Sequence, residues 1–259
     1  LANSVKPALT PAQLRRAARE RFNRARKAEI TYSRQLVHIG RNVGQIIKGF
    51  GPTGEITDMP GLMTALERYA DVLRPWAVQV TARMQTQVAR RDSLAWVTLG
   101  RTIGRELRKE IEQAPIGAAL RDVMAEQVHL ITSIPTEAAQ RVHQLTIQGI
   151  TGGRRAAEVQ AEILYSTHVA VSRAKTIART EVARTASVLT QVRAQHIGSE
   201  GYLWRTAEDT DVRKLHAKLE GRFVPWNRPP VAGSQGERAH AGQIYNCRCW
   251  PEPVLPDTI

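Results

Sequence analysis

The 259 residues carry 37 Lys and Arg against 24 Asp and Glu, a formal net charge of +13, and 42% of them are hydrophobic. That is enough apolar material for a core and excludes global disorder, while the longest apolar stretches fall well short of the roughly 20 residues that span a bilayer, so no membrane partner is expected. The two cysteines, Cys247 and Cys249, stand two apart; a disulfide there would be strained, so no disulfide framework holds the fold and a reducing compartment is expected.

The charge is unevenly spread. Residues 1–48 hold 11 basic and 2 acidic side chains, residues 49–153 hold 11 of each, and residues 154–259 hold 15 and 11. The first part opens with Thr10, Pro11 and Gln13, a capping box with proline at the first helical position. From there Leu14, Ala18, Phe22, Ala25, Ala28, Tyr32, Leu36, Ile39, Val43 and Ile46 recur at helical spacing until Gly49, Gly51 and Pro52. Gly40 and Gly44 leave open one long helix or two with a bend. Within it Arg15, Arg16, Arg19, Arg21, Arg24, Arg26 and Lys27 have only Glu20 among them. A solvated face mixes signs, so this run predicts an arm that binds nucleic acid through its phosphates without reading sequence.

The second part repeats the pattern. Leu62, Leu66, Tyr69, Leu73, Ala77, Val80, Met84 and Val88 form one stripe, with Pro75 expected to kink it. Trp96, Leu99, Ile103, Leu107 and Ile111 form another, and Ser133, Pro135 and Glu137 predict a further helix start. In the third part a short helix around Ala156, Val159 and Ile163 precedes a longer one from Val171 to Val192, stopped by Gly198 and Gly201. Then Tyr202 to Arg205, Arg222 to Val224 and Ile244 to Trp250 read as short strands between Gly and Pro clusters. The expected fold is mainly α. Residues 1–150 form an elongated helical region with the basic N-terminal arm, and residues 151–259 a small α+β domain.

The chemically loaded residues crowd into that last part: Arg179-Thr180-Glu181 on a helix, Trp204 on a strand, Asp209, Asp211, Arg213 and His216, then Gly221, His240 and Asn246-Cys247-Arg248-Cys249. In this order they resemble the C-terminal domain of the phage Mu F-like minor head proteins, the phage head morphogenesis family. The resemblance covers roughly residues 150–252. Arg179, Thr180, Glu181, Trp204, Arg213, His216, Gly221, Asn246, Cys247 and Cys249 fall on the family pattern. It implies a non-enzymatic minor structural protein of a tailed-phage head, assembled in the host cytoplasm and lying inside the head near the portal. The implied partners are the portal protein, packaged double-stranded DNA and the major capsid or scaffolding protein; the implied role is in head assembly or DNA ejection.

Other chemistries compete for the same residues. Cys247 and Cys249, on one face of a strand, could join His216 and His240 in a Cys₂His₂ zinc site. Paired zinc cysteines usually stand further apart, so reduced structural thiols, no metal and no cofactor are expected. Glu181 and Arg184 have the spacing of an ordinary ion pair. Glu208, Asp209 and Asp211 could bind a divalent ion, but beside Arg213, Lys214 and Lys218 they read as a locally paired turn. The alternative class is an enzyme, a metal-dependent hydrolase or nuclease or a toxin-type transferase. A hydrolase would call for convergent acids or a phosphate-binding glycine loop, and a transferase for a further module past residue 252.

Overall fold

The computed structural model describes residues 10–102, 107–152 and 154–256. The expectation for Ile103 lies outside them. Four long helices dominate: α1 Pro11–Phe50, α2 Met59–Thr102, α4 Ile116–Thr151 and α5 Ala156–His196, with short helices α3 Arg108–Gln113 and α6 Lys214–Ala217. Three antiparallel strands, β1 Gly201–Thr206, β2 Phe223–Pro225 and β3 Cys249–Pro253, form one sheet in the order β2-β1-β3. The fold is therefore mainly α with a small C-terminal α+β region. Among the described residues no helix is long and apolar enough to cross a membrane.

The helix starts and stops follow local chemistry, with instructive exceptions. Thr10 and Gln13 cap α1 reciprocally: the Gln13 N–H donates to Thr10 Oγ1 (3.3 Å) and the Thr10 N–H to Gln13 Oε1 (2.8 Å). Helix α1 runs unbroken through Gly40 and Gly44. A Cβ on Gly40 would stand 2.7 Å from the Val171 nitrogen, and one on Gly44 2.4 Å from the Thr167 side chain. These glycines admit a neighbouring helix instead of bending their own. At the other end, α5 closes on Gly198 (φ +84), with the Ser199 N–H donating to the Ala194 carbonyl at 2.9 Å.

Several expected boundaries are absent. The stripe from Leu62 and the start of the stripe from Trp96 share one helix, which passes through Pro75, while Leu107 caps α3 and Ile111 lies within it. The helix expected to start at Ser133 begins at Ile116 and contains Pro135. Here the hydroxyls of Thr132 and Ser133 donate to the His129 and Leu130 carbonyls, so residues that resemble a cap bond back onto the preceding turn. Likewise the short helix around Ile163 and the longer one from Val171 are a single helix, α5. The third strand starts at Cys249 rather than near Ile244, because Asn246 takes a positive φ (49°) and turns the chain; Cys247 precedes the strand instead of sharing its face.

Packing gathers the chain into two units, each built from separated segments: residues 1–29, 84–123 and 179–259 in one, residues 30–83 and 124–178 in the other. This grouping cuts across residue 150. In the second unit Tyr32, Leu36, Ile39, Val43, Leu62, Leu66, Ile131 and Val142 are all buried. In the first, the core beneath the sheet combines Tyr202, Trp204, Trp226, Cys247 and Cys249 with Trp96, Leu107 and Ile111, while Phe22 of α1 stacks on Trp250 at 5.0 Å. The aromatic surface of the C-terminal sheet is thus covered by residues from well before position 150.

Candidate functional site

The family-pattern residues converge on the loop before β3. Thr180 and Glu181, on one turn of α5, are buried. The Asn246 N–H donates to Thr180 Oγ1 at 3.0 Å, and Arg179 Nη1 reaches Asn246 Oδ1 at 3.4 Å, which fixes the left-handed turn that delivers Cys247. Arg179 also meets Glu29 at 3.4 Å. Arg213, just before α6, donates to the Tyr245 carbonyl at 2.7 Å. Glu181 and Arg184 do form an i,i+3 ion pair (3.8 Å), and Arg184 also donates to the Gln243 carbonyl. Gly221 (φ +73) returns the chain toward β2, its N–H bonded to the Trp204 carbonyl at 2.8 Å.

At the centre stands His216. It is 1% exposed, with the Trp204 ring edge-on at 5.4 Å. Its Nε2 lies 2.9 Å from the Ala232 carbonyl, while Nδ1 lies 3.6 Å from Cys247 Sγ and 3.4 Å from Cys249 Sγ. Burial works to lower the His216 pKa, but the Cys247 sulfur and the Ala232 carbonyl outweigh it, and the imidazole is held above its usual value. The Cys249 thiol, bonded to Cys247, holds Cys247 well below the ordinary thiol range against the effect of burial, with His216 adding to the shift. Cys249 is driven upward by the same bond and by burial. These three groups can share protons or offer three soft donor atoms to a metal ion.

His240, expected as a fourth ligand, is elsewhere. Its Nε2 is 3.1 Å from the Trp226 carbonyl and its Nδ1 3.2 Å from the Tyr202 hydroxyl. Both nitrogens serve the aromatic core, and burial lowers the ring's pKa. The acidic turn is paired, though not with the expected neighbours. Arg248 binds Asp209 and Asp211 (3.1 Å to the latter), and Arg15 binds Glu208.

The basic run divides. Arg21, expected among the DNA-binding residues, is instead buried, 4.8 Å over the Trp96 ring, 3.9 Å from Asp92, and donates to the Pro251 carbonyl. Asp92 in turn binds Arg193, and both are buried. Nothing in the one-dimensional pattern marked this cluster, because Arg21, Asp92 and Arg193 belong to three distant helical stretches. The remaining basic residues stay accessible: Arg16, Arg19, Arg24 and Lys27 are exposed, Arg15 partly paired with Glu208 and Glu220, and Arg26 paired with Glu29 at 3.2 Å. Arg15, Arg16 and Arg19 line an open cleft with Glu208 and with Arg205, which is itself paired with Glu220 and Glu252.

Residues 140–251 match the family described as Phage Mu protein F like protein. An uncharacterized protein of Haemophilus influenzae is 28% identical over 153 residues, 59% of this chain and 33% of that protein. The NAD(+)--arginine ADP-ribosyltransferase EFV of Enterococcus faecalis is 32% identical over 122 residues, 44% of this chain and 25% of that protein. The chain thus spans no more than a third of the length of these curated relatives. No solved structure matches. The interlocked motif from Arg179 to Cys249 lies wholly within the segment that matches the Phage Mu F-like family.

Proposed function

We propose that the chain is a minor structural protein of a tailed-phage head, associated with the portal protein and in contact with packaged DNA, where it aids head assembly or DNA ejection. The family match over residues 140–251 carries this reading. The site geometry supports it, since the family residues act on one another: Thr180 and Arg179 hold Asn246, Arg213 holds Tyr245, and His216 holds the two cysteines. That is how a motif maintains a shape. Arg16 and Arg19, exposed along the cleft that Arg15 and Glu208 also line, suit sequence-independent attraction to phosphates.

The transferase name belongs to the Enterococcus protein, a quarter of which is matched. The acids that a hydrolase could use, Glu208, Asp209 and Asp211, are engaged by Arg15 and Arg248. Cross-linking mass spectrometry on purified procapsids and mature heads tests the proposal. Cross-links from this chain to the portal protein are expected, and absence of the chain from both particles would overturn it.

A further inference from the structure

We propose that His216, Cys247 and Cys249 form a zinc site with three protein ligands, the Nδ1 nitrogen and the two sulfurs, and one position left for water. The expectation of bare structural thiols rested on cysteine spacing. The fold replaces spacing with geometry, whatever role the chain has in a phage head.

The imidazole is set for ligation. A carbonyl oxygen only accepts, so the 2.9 Å contact with Ala232 requires Nε2 to carry a hydrogen. In the neutral ring Nδ1 is then a bare lone pair, and it faces the two sulfurs at 3.4 and 3.6 Å. One lone pair accepts from one S–H, and a second sulfur in the same contact has no hydrogen-bonding role toward that nitrogen. A tetrahedral ion with ordinary Zn–N and Zn–S bonds separates its nitrogen and sulfur ligands by about 3.6 Å, close to both observed distances. The three donor atoms all lie within 4.8 Å of one another and all three residues are buried.

The surroundings fit a thiolate-bound dication. The Gly242 backbone, near Cys247, favours the thiolate form of that side chain. The Trp204 indole N–H, buried in the same core, has no hydrogen-bond partner among the described residues. The Ala232 carbonyl fixes the His216 tautomer, the usual outer-shell partner of a metal-bound histidine. Two thiolates and an imidazole are ligands for zinc rather than for calcium or magnesium. On binding, the thiol protons pass to solvent and two S–Zn bonds and one N–Zn bond form. The ion would clamp α6, the 232 loop and the start of β3 to one point.

The test is elemental analysis of the full chain, expressed with added zinc and freed of loose metal. One zinc per chain is expected, released by a mercurial thiol reagent, and replaceable by cobalt with a thiolate-to-cobalt charge-transfer band. Removing the zinc should lower the melting temperature, on the order of 10 °C for a tightly held ion. Cys249→Ser and His216→Ala should each weaken binding at least about tenfold, while His240→Gln keeps it. The mercurial release needs no variant, so misfolding of the substituted proteins does not blunt the test. No zinc above the buffer blank together with no cobalt band on the reduced chain would overturn the proposal. So would undiminished zinc in the Cys249→Ser, His216→Ala double variant.

Discussion

Replacing Asp92 by Asn tests whether one carboxylate holds two buried guanidiniums in place. Asp92, Arg21 and Arg193 are exposed by 2%, 6% and 2%, so solvent supplies almost no screening. Arg21 stands 3.9 Å from Asp92; at an effective dielectric of 20 that attraction is worth about 4 kcal/mol, and Arg193 is nearer still. Burial pushes the Asp92 carboxyl above its ordinary range, with Arg193 and Arg21 opposing it, so part of the attraction is offset by the desolvation that Asn would relieve. Asn keeps the volume but leaves two buried cations without their shared counter-charge, a loss of about 3–5 kcal/mol. For a chain of this size the melting temperature should fall by roughly 6–20 °C. Urea unfolding followed by tryptophan fluorescence is the assay, since Trp96, Trp204, Trp226 and Trp250 all lie in the unit that holds the cluster. Replacing all three charges, as Arg21→Met, Asp92→Leu and Arg193→Met, should recover most of the loss, because the penalty comes from unmatched charge. An Asp92→Asn variant within about 1 kcal/mol of the parent, or a triple variant as weak as the single one, would refute the account.

Three further outcomes are expected. Gln at Arg15, Arg16, Arg19 and Arg24 should flatten the salt dependence of DNA binding, by about 0.9 in log-log slope for each phosphate that is no longer neutralised, with the C-terminal fold retained by circular dichroism. Burial depresses the His240 pKa below 6.5; the unfolded chain then protonates first, so its contribution to stability is full above about pH 6.5 and declines as pH falls from there toward the folded value, a slope that His240→Gln should reduce in melting curves. Asn246 at φ 49° tolerates Gly but not a β-branched residue; Asn246→Val should cost about 1–2 kcal/mol more than Asn246→Gly in chemical denaturation.

The long helices were legible because period and capping are local. Thr10, Pro11 and Gln13 announce the start of α1, and its apolar stripe matches the buried residues from Ala18 to Val43. What misled were residues whose meaning depends on a neighbour. Gly40 and Gly44 read as a weak point until Val171 and Thr167 are seen against them. Ser133 and Pro135 read as a start until the hydroxyls are seen bonding backward. The family motif was recognisable, but its internal geometry was not. The positive φ of Asn246 moves Cys247 out of the strand, and the Tyr202 and Trp226 partners of His240 remove it from the sulfurs. Arg21 looked like one more cation in a basic run because its counter-charge, Asp92, is far off in sequence.

The contact between α1 and β3 sets an order of events during synthesis. Arg21 bonds to Pro251 across 230 residues, and Phe22 covers Trp250. At roughly 5–20 residues per second a ribosome needs on the order of 10–50 s to cover that distance. Throughout that interval the apolar side of the first helix, Ala18, Phe22 and Ala25, waits without its final cover beside a row of arginines. Like charge along that row opposes contact between two such chains until β3 is made.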